Sequence, residues 1–257
     1  MTDPTKRFSD RVDNYLKYRP RYPKELLIFL LEEKIIQRSS ILADIGSGTG
    51  FFTKLLIESG SQVFGVEPNK EMRDAAEDFL REFPNFTSVD GTAEITNLED
   101  TSVDFISVAQ AFHWFDREKT RKEFLRILKP DGYLALIWNN RIKEGIPFQM
   151  EYNDLLIKYC PGHEKTNHYK ITDDQIAEFY GNTDVKVFRC TNYQVFDFEG
   201  LKGRLLSSSY TPKENDSNYQ PLLTALEELF DKYQVKGQVK MEYKTKIYYG
   251  KLIHNQE

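Results

Sequence analysis

The chain has 257 residues, 40% of them hydrophobic and 29% charged, a composition typical of a folded globular protein with a substantial core. Its net charge of -5 favours neither nucleic acid nor an anionic membrane as a partner. No apolar run approaches the roughly 20 residues of a membrane-spanning helix, and the first residues do not resemble a signal peptide. The two cysteines, Cys160 and Cys190, lack metal-site or redox spacing. We therefore expect a cytoplasmic protein with two free thiols and no metal.

Apolar, β-rich runs alternate with helical patterns up to about residue 140. Behind a polar leader, a helix is predicted over residues 24–35, with Pro23 at its start. The strands that follow are predicted at 41–46, 62–67, 86–91, 103–110 and 133–138, with helices at 51–59, 70–83 and 117–129. The last of these helices is expected to close at Pro130-Asp131-Gly132. This alternation indicates a parallel sheet covered on both faces.

The rhythm changes after residue 141. Helical patterns occupy residues 147–159, 173–180 and 221–233, and β-like runs occupy 184–198 and 238–253. Two late strands are typical of an antiparallel addition to a parallel sheet, and the helices between them predict a cap over a ligand cleft. The expected fold class is therefore α/β: a mostly parallel, Rossmann-like sheet with two late strands, one of them antiparallel, and a helical cap.

A loop with three glycines follows the first strand, in the sequence ADIGSGTGFF. Gly46, Gly48 and Gly50 can adopt positive φ and let a ligand approach the backbone, and the next helix offers its N-terminal amides to a negative group. A dinucleotide-binding loop requires G-x-G-x-x-G, but Phe51 occupies the third glycine position. A triphosphate-binding loop requires Gly-Lys-Ser/Thr, and Lys54 comes too late. Both phosphate-binding interpretations therefore fail.

Polar residues also follow the next strands, at the edge where open α/β sheets bind ligands. Glu67 ends the second strand, 17 residues after Gly50, and its carboxylate can accept hydrogen bonds from both hydroxyls of a ribose. Thr92, Ala93 and Glu94 follow the third strand, where an adenine ring would lie. The sequence SVAQAFHWFD then brings polar and aromatic groups to the end of the fourth. Together these strand ends indicate a site for an adenosine-containing ligand.

At these residues the chain resembles the class I S-adenosylmethionine-dependent methyltransferases. The resemblance rests on ADIGSGTG, VFGVEPNKEM, GTAE, VAQAFHW and RILKPDGYLALIWNN, which cover most of residues 40–140. The leader NYLKYRPRYP and the later SSSYTP are similar to one branch, the trans-aconitate methyltransferase-like enzymes that esterify small carboxylic acids. The resemblance implies methyl transfer from S-adenosyl-L-methionine to a small-molecule acceptor. A nicotinamide-dependent oxidoreductase and a non-catalytic S-adenosylmethionine-binding protein are the alternatives.

The resemblance also assigns parts of the chain. We expect a single domain in which residues 1–40 form an N-terminal lid and the first helix, residues 41–140 the cofactor-binding core, and residues 141–257 the cap helices and the last two strands. The expected cofactor-binding residues are Asp44, Gly46, Ser47, Gly48, Thr49, Gly50, Glu67, Pro68, Met72, Thr92, Ala93, Glu94, Gln110 and Ala111. Many relatives carry Asp in place of Thr92, whose hydroxyl can still hydrogen-bond an adenine nitrogen.

Candidates for the acceptor side come from the lid, the fourth strand and later segments. The expected substrate-binding residues are Tyr18, Arg19, Trp114, Arg141 and Tyr210, and His113 is the candidate catalytic base or else part of the pocket wall. A carboxylate is ionised at neutral pH and needs no base, whereas a hydroxyl or amine often does. We expect Arg19, Arg141 or Arg204 to hold an acidic acceptor, and Arg19 is equally suited to the cofactor's own carboxylate.

The glycine loop yields a prediction about the cofactor. The purified protein should bind S-adenosylmethionine or its demethylated product at micromolar levels, about -8 kcal/mol. NAD should bind far more weakly, because Phe51 replaces the glycine that lets a pyrophosphate approach. Isothermal titration calorimetry with the three ligands measures the order of affinity. Tighter binding of NAD would contradict the methyltransferase interpretation.

Overall fold

The computed structural model describes residues 17–161, 163, 171–181 and 184–253. The part of the predicted lid that precedes residue 17 lies outside these ranges. The described helices are α1 (Lys24–Glu32), α2 (Phe51–Ile57), α3 (Lys70–Leu80), α4 (Arg117–Ile127), α5 (Pro147–Tyr159), α6 (Asp173–Tyr180), α7 (Phe198–Leu206) and α8 (Tyr219–Tyr233). The strands are β1 (Ile41–Ile45), β2 (Gln62–Val66), β3 (Phe86–Val89), β4 (Val103–Ala109), β5 (Leu128–Arg141), β6 (Lys186–Phe196) and β7 (Val239–Gly250).

These strands form one sheet in the order β3-β2-β1-β4-β5-β7-β6. The pairs among β1 to β5 are all parallel, whereas β7 lies antiparallel between β5 and β6. The predicted fold class, a mostly parallel Rossmann-like sheet with one antiparallel late strand, is therefore confirmed. The strand order reverses between β1 and β4, and ligands of open α/β sheets bind at the carboxyl ends of the strands beside such a reversal.

Helices cover the sheet on both faces and bury an apolar core beneath each. On one face, α1, α2 and α3 contribute side chains such as Leu26 and Leu56 against strand residues such as Phe105. On the other, α4 and α6 contribute Phe124 and Phe179. Burying apolar side chains of this size stabilises the fold by roughly 1.5–3 kcal/mol each. The helices in the described part of the chain are all too short or too polar to cross a membrane.

The helical cap has an apolar core of its own. It is built from α5, α7 and α8, which contribute residues such as Leu156, Leu205 and Leu226, and it packs on Met241 and Tyr243 of β7. Because β7 is also a strand of the main sheet, cap and sheet share a structural element. This continuity supports the proposal that residues 1–257 form a single domain.

The end of α4 differs from the prediction. The helix stops at Ile127, and β5 begins at Leu128, five residues before the predicted strand start. Leu128 pairs with Val103 of β4, and the amide of Ser102 donates to the carbonyl of Ile127. These partners are distant in sequence, so a local helical pattern could not anticipate them. Pro130 and its neighbours therefore lie within the strand rather than in a helix-closing turn.

Tyr180 connects α6 to β5 and β7. Replacing this residue measures how much the connection stabilises the fold. Its side chain is fully buried, and its hydroxyl lies 3.0 Å from the carbonyl oxygen of Leu134 and 3.1 Å from that of Tyr248. Tyr180→Phe should lower the free energy of unfolding by about 1–3 kcal/mol, because the one hydroxyl proton that these two carbonyls share is lost. Urea denaturation measures the change. Tyr133→Phe, whose hydroxyl bonds to no described residue, is the control, and equal losses in both variants would contradict the prediction.

Candidate active site

A cleft of about 350 Å³ opens at the carboxyl ends of β1, β2, β4 and β5 and is bounded by the cap. Its volume is within the usual range for small-molecule sites, roughly 300–1,000 Å³. The residues predicted from the sequence that line it are Arg19, Asp44, Gly46, Ser47, Gly48, Thr49, Glu67, Pro68, Met72, Thr92, Ala93, Glu94, Gln110, Ala111, His113, Trp114, Arg141, Arg204 and Tyr210. The fold therefore gathers most of the predicted site into one cleft.

Two predicted residues, Gly50 and Tyr18, lie outside the lining. Gly50 is the residue before α2, with a φ of +82°, and a Cβ there would come within 2.8 Å of Leu80. Its role is to let the turn into the helix form. The ring of Tyr18 packs on Gly203 of α7, where any Cβ would overlap it, and its carbonyl accepts a hydrogen bond from Gln194. These two contacts anchor the lid, and the substrate-binding role of Tyr18 stays a prediction.

The loops after β1 and β4 approach each other closely at the bottom of the cleft. Gly46 has a φ of +70°, and a Cβ on it would lie 2.6 Å from the Cβ of Ala111. Gln110 has a φ of +62°, a left-handed conformation that is unusual for its residue type and is often found at functional sites. Its amide donates to the carbonyl of Ile137 at 2.9 Å. Only glycine at position 46 leaves room for this arrangement.

Asp44 braces the base of the glycine loop. Its buried carboxylate accepts hydrogen bonds from the hydroxyls of Thr53 at 2.7 Å and Ser107 at 2.8 Å. The carboxylate thereby joins β1 to α2 and to β4. Burial raises the pKa of Asp44 from 3.8 to about 6, although the hydrogen bonds from Thr53 and Ser107 oppose the rise. Asp44 therefore contributes to the shape of the loop as well as lining the cleft.

Glu67 connects the ends of β1 and β2. One carboxylate oxygen accepts from the amide of Gly48 at 2.9 Å, and the other accepts from the amide of Asn69 at 3.0 Å. Burial raises the pKa of Glu67, and these two backbone amides oppose the rise. Each oxygen has a second lone pair, so the same carboxylate can also accept from two ligand hydroxyls. The bracing role was not apparent from the sequence.

The other predicted side chains near the glycine loop differ in whether they already form hydrogen bonds within the protein. Glu94 accepts from the backbone amide of Asp116 at 2.9 Å, which ties the loop after β3 to the start of α4. The hydroxyl of Thr92 lies 3.2 Å from the amide of Ile95. By contrast, the buried hydroxyl of Thr49 has no hydrogen-bond partner among the described residues, although it lines the cleft. A bound ligand would supply the partner that a buried hydroxyl needs.

At the other end of the cleft, two arginines face a group of tyrosines. The guanidinium of Arg141 lies over the ring of Tyr152, 4.6 Å from its centre, and its Nη2 donates to Asn153 at 3.2 Å. Its Nη1 is buried and bonds to no described residue. Arg204 lies 3.5 Å from the hydroxyl of Tyr243 through Nε. Within the described ranges, neither arginine is within 4.0 Å of a carboxylate oxygen.

Further basic groups are concentrated at the same end. Lys143 and His163 also line the cleft. Burial, with Lys143 and Arg141 adding to it, lowers the pKa of His163 to about 4, and burial together with Arg141 lowers the pKa of Lys143. The acids of the lining are Asp44, Glu67 and Glu94, all placed at the ends of β1 to β3. The cleft is therefore acidic towards the glycine loop and basic towards the cap.

Several lining residues were not singled out from the sequence. They include Pro20, Tyr22, Asn139, Asn140, Lys143, His163, Ser209 and Tyr243. Tyr243 lies in the middle of an alternating strand, where its spacing does not distinguish it from a core residue. Lys143 follows β5 closely, but its direction depends on how the cap packs. Their place in the site is set by long-range packing rather than by local pattern.

The fold and cleft define a Rossmann-like α/β protein with an open cleft at the carboxyl ends of its strands, and comparisons with known proteins narrow this class. Residues 43–136 match the family described as a methyltransferase domain. The chain is 33% identical to an uncharacterized methyltransferase of Schizosaccharomyces pombe over 202 residues, 78% of this chain and 77% of that protein. It is 37% identical to a methyltransferase-like protein of the same yeast over 155 residues, 60% of this chain and 59% of that one. The chain belongs to the class I S-adenosylmethionine-dependent methyltransferases.

Solved structures show the same fold. A proposed type II methyltransferase from Anaeromyxobacter dehalogenans superimposes with a TM-score of 0.69 at 21% identity, covering 92% of this chain and 99% of that one. A phosphoethanolamine N-methyltransferase from Haemonchus contortus, solved with phosphomonomethylethanolamine and S-adenosylhomocysteine, gives a TM-score of 0.56 at 16% identity, covering 97% of this chain and 59% of that one. At these identities the similarity concerns the fold.

The buried carboxyl of Asp44 generates a prediction about pH. Between its ordinary pKa of 3.8 and the folded value of about 6, the folded state holds a proton that the unfolded chain has released. The stability from Asp44 is therefore complete below pH 3.8 and is lost as the pH rises through 6. Relative to Asp44→Asn, the native protein should lose about 2 kcal/mol of unfolding free energy between pH 4 and pH 7. Urea denaturation of the native protein and of Asp44→Asn from pH 4 to pH 7 measures this loss. Parallel pH profiles of the two unfolding free energies would contradict the prediction.

Proposed function

We propose that the protein transfers a methyl group from S-adenosylmethionine to a carboxylate oxygen of a small acidic molecule. The observation that carries this proposal is the pair Arg141 and Arg204, which line the cleft without a carboxylate partner among the described residues. Both residues are half-buried, and a cation shielded from water without a counter-charge is unfavourable. A carboxylate acceptor would supply that counter-charge.

The residues at the acidic end suit the cofactor. Gly46 leaves the backbone open where a Cβ would collide, and the hydroxyl of Thr49 is available to a polar group of the cofactor's methionine part. Glu67 retains lone pairs for two ribose hydroxyls, and Met72 lies in the lining where an adenine ring would pack. When bound, S-adenosylmethionine supplies a methyl group on a sulfonium, which a carboxylate oxygen attacks directly while the sulfur keeps the electron pair.

The chain's own contribution to this transfer is positioning. An ionised carboxylate has no proton to lose at neutral pH, so the site needs cations to hold it rather than a base to activate it. Arg141 offers a buried Nη1, and charge-assisted hydrogen bonds from a guanidinium restrict the acceptor's orientation. Holding two reactants in line can supply on the order of 7 kcal/mol or more. This accounts for a site rich in arginine and tyrosine.

His113 has a different place in the proposal. It belongs to a single 3₁₀ turn, Phe112–Trp114, at the end of β4, and its ring packs 4.6 Å from that of Trp114. Both rings line the cleft. We assign His113 and Trp114 to the wall of the acceptor pocket. The similarity of the leader and of SSSYTP to carboxylate-esterifying methyltransferases supports the same acceptor class, and a small acidic metabolite agrees with the proposed cytoplasmic location.

The proposal predicts which replacements impair the acceptor site. Carboxylates, alcohols and amines should be screened with methyl-labelled cofactor, and methyl esters are the expected products. Arg141→Ala should raise the KM for the best carboxylate about tenfold or more, since a lost charge-assisted hydrogen bond costs roughly 1.5–3 kcal/mol. His113→Gln should retain most of the turnover and its pH profile. Arg38→Ala, at an exposed arginine outside the cleft, is the control.

The opposite pattern of activities among these variants would contradict the carboxylate proposal and favour a different methyl acceptor. Loss of turnover in His113→Gln, together with the loss of a titration near neutral pH, would indicate base-assisted methylation of a neutral acceptor. Full activity of variants at Arg19, Arg141 and Arg204 would contradict the carboxylate acceptor directly. Methylated alcohols or amines as the main products would do so as well.

A further inference from the structure

A single amide side chain, that of Gln194 on β6, bridges the lid and the acceptor end of the cleft. Its Nε2 donates to the carbonyl oxygen of Tyr18 at 3.0 Å, and its Oε1 accepts from the hydroxyl of Tyr243 at 2.7 Å. A carbonyl can only accept, so the nitrogen must face Tyr18, and the oxygen must therefore face Tyr243. The orientation of the amide follows from its two partners.

Tyr243 passes this orientation on to Arg204. The side chain of Tyr243 is buried, and its hydroxyl has one proton to donate. The amide oxygen of Gln194 is a far better acceptor than the sulfur of Met241, which lies 3.1 Å away. With its proton directed to Gln194, the phenolic oxygen presents its lone pairs to Nε of Arg204 at 3.5 Å.

Arg204 is held on one side and open on the other. Its Nη1 donates to the hydroxyl of Ser208 at 3.2 Å, and its Nε faces Tyr243. In the described part of the chain, no group accepts from its Nη2, and Arg204 lines the cleft. The fixed fork of a guanidinium means that holding Nε and Nη1 also sets the direction of Nη2. Tyr243 and Ser208 therefore determine where this donor points.

The same amide fastens the lid segment, Tyr18–Tyr22. Beside the bond from Gln194, the carbonyl of Arg21 accepts from Asn192 at 2.6 Å and from Asn139 at 3.3 Å. Arg19 of the lid donates to the carbonyl of Ser207 at 3.1 Å and lines the cleft. Gln194 is thus one of several side chains that hold the lid, and it is the one that also bonds to Tyr243 beside Arg204.

We propose that Gln194 is a positioning residue of the acceptor site, which directs Arg204 through Tyr243 and holds the lid segment against the cap. This inference rests on the proposed function for the acceptor that Arg204 meets. Its structural part, the fastening of the lid, stands independently of the acceptor's identity. Gln194 itself does not line the cleft, so it acts only through its two neighbours.

Two variants separate the two halves of the proposal. Gln194→Leu removes both hydrogen bonds, whereas Tyr243→Phe removes the hydroxyl but leaves Gln194 bonded to Tyr18. Both should raise the KM for the best carboxylate of the screen about tenfold, with kcat changed far less. The double variant should have a KM no higher than that of Gln194→Leu alone, because both changes break the same chain of hydrogen bonds. Only Gln194→Leu should accelerate amide hydrogen exchange in residues 17–22.

Controls distinguish this role from general destabilisation. Gln62→Leu makes the same chemical change at an exposed position of β2. It should alter neither the KM for the carboxylate nor the amide hydrogen exchange in residues 17–22. Calorimetry should give unchanged affinity for S-adenosylhomocysteine in Tyr243→Phe and in Gln62→Leu, which leave the lid fastened. If Gln194→Leu does not fold, Gln194→Asn keeps an amide but shortens its reach, and it should reproduce both effects.

Two results would overturn the positioning role: an unchanged KM in Tyr243→Phe, or exchange in residues 17–22 that is equal in Gln194→Leu and Gln62→Leu. Failure of the proposed function is distinguishable from these. If only neutral acceptors are methylated, the carboxylate proposal is wrong, and the exchange measurement, which needs no acceptor, still decides whether Gln194 fastens the lid.

Discussion

The buried carboxylate of Asp44 is the interaction on which the cleft depends. It binds hydroxyls from α2 and β4, Thr53 and Ser107, and so ties the two elements that flank β1 to the strand itself. With the three elements joined, the loops after β1 and β4 meet at Gly46 and Ala111 with no space for another atom. A carboxylate in this position is costly to bury. The hydroxyls offset part of that cost and make the geometry specific, which is how a polar group inside a core specifies one arrangement.

Charge divides the cleft that these loops define. The three acids of the lining lie at the ends of β1 to β3, and Arg141, Lys143 and Arg204 lie towards the cap. Under the proposed function, the acidic end would accept from the ribose hydroxyls of the cofactor, and the basic end would hold an acidic methyl acceptor. The pKa of His163 is lowered at this basic end, because burial together with two neighbouring cations disfavours another positive charge. The fold thus places two chemically different subsites end to end.

The cap and the lid complete the basic subsite from distant parts of the chain. Arg204 comes from α7, and Arg19 comes from the lid, where it bonds to Ser207 at a sequence separation of 188 residues. The tyrosines around the arginines belong to both cap and sheet. Side chains from the cap, the lid and β7 are all needed to enclose this end, so it forms only when the whole domain has folded. The cofactor end, by contrast, uses loops that follow consecutive strands.

That contrast explains what the sequence by itself determined. Each strand end and the loop behind it are encoded by adjacent residues, so the strand and helix periods, the glycines and Glu67 are local signals. These signals sufficed to predict the sheet, the position of the cleft and most of its acidic lining. Tertiary structure alone decided that Leu128 begins β5, that Tyr18 packs on Gly203, and that Tyr243 reaches Arg204. Each of these contacts joins residues far apart in the chain, and its free energy comes from packing and hydrogen bonding that no local pattern records.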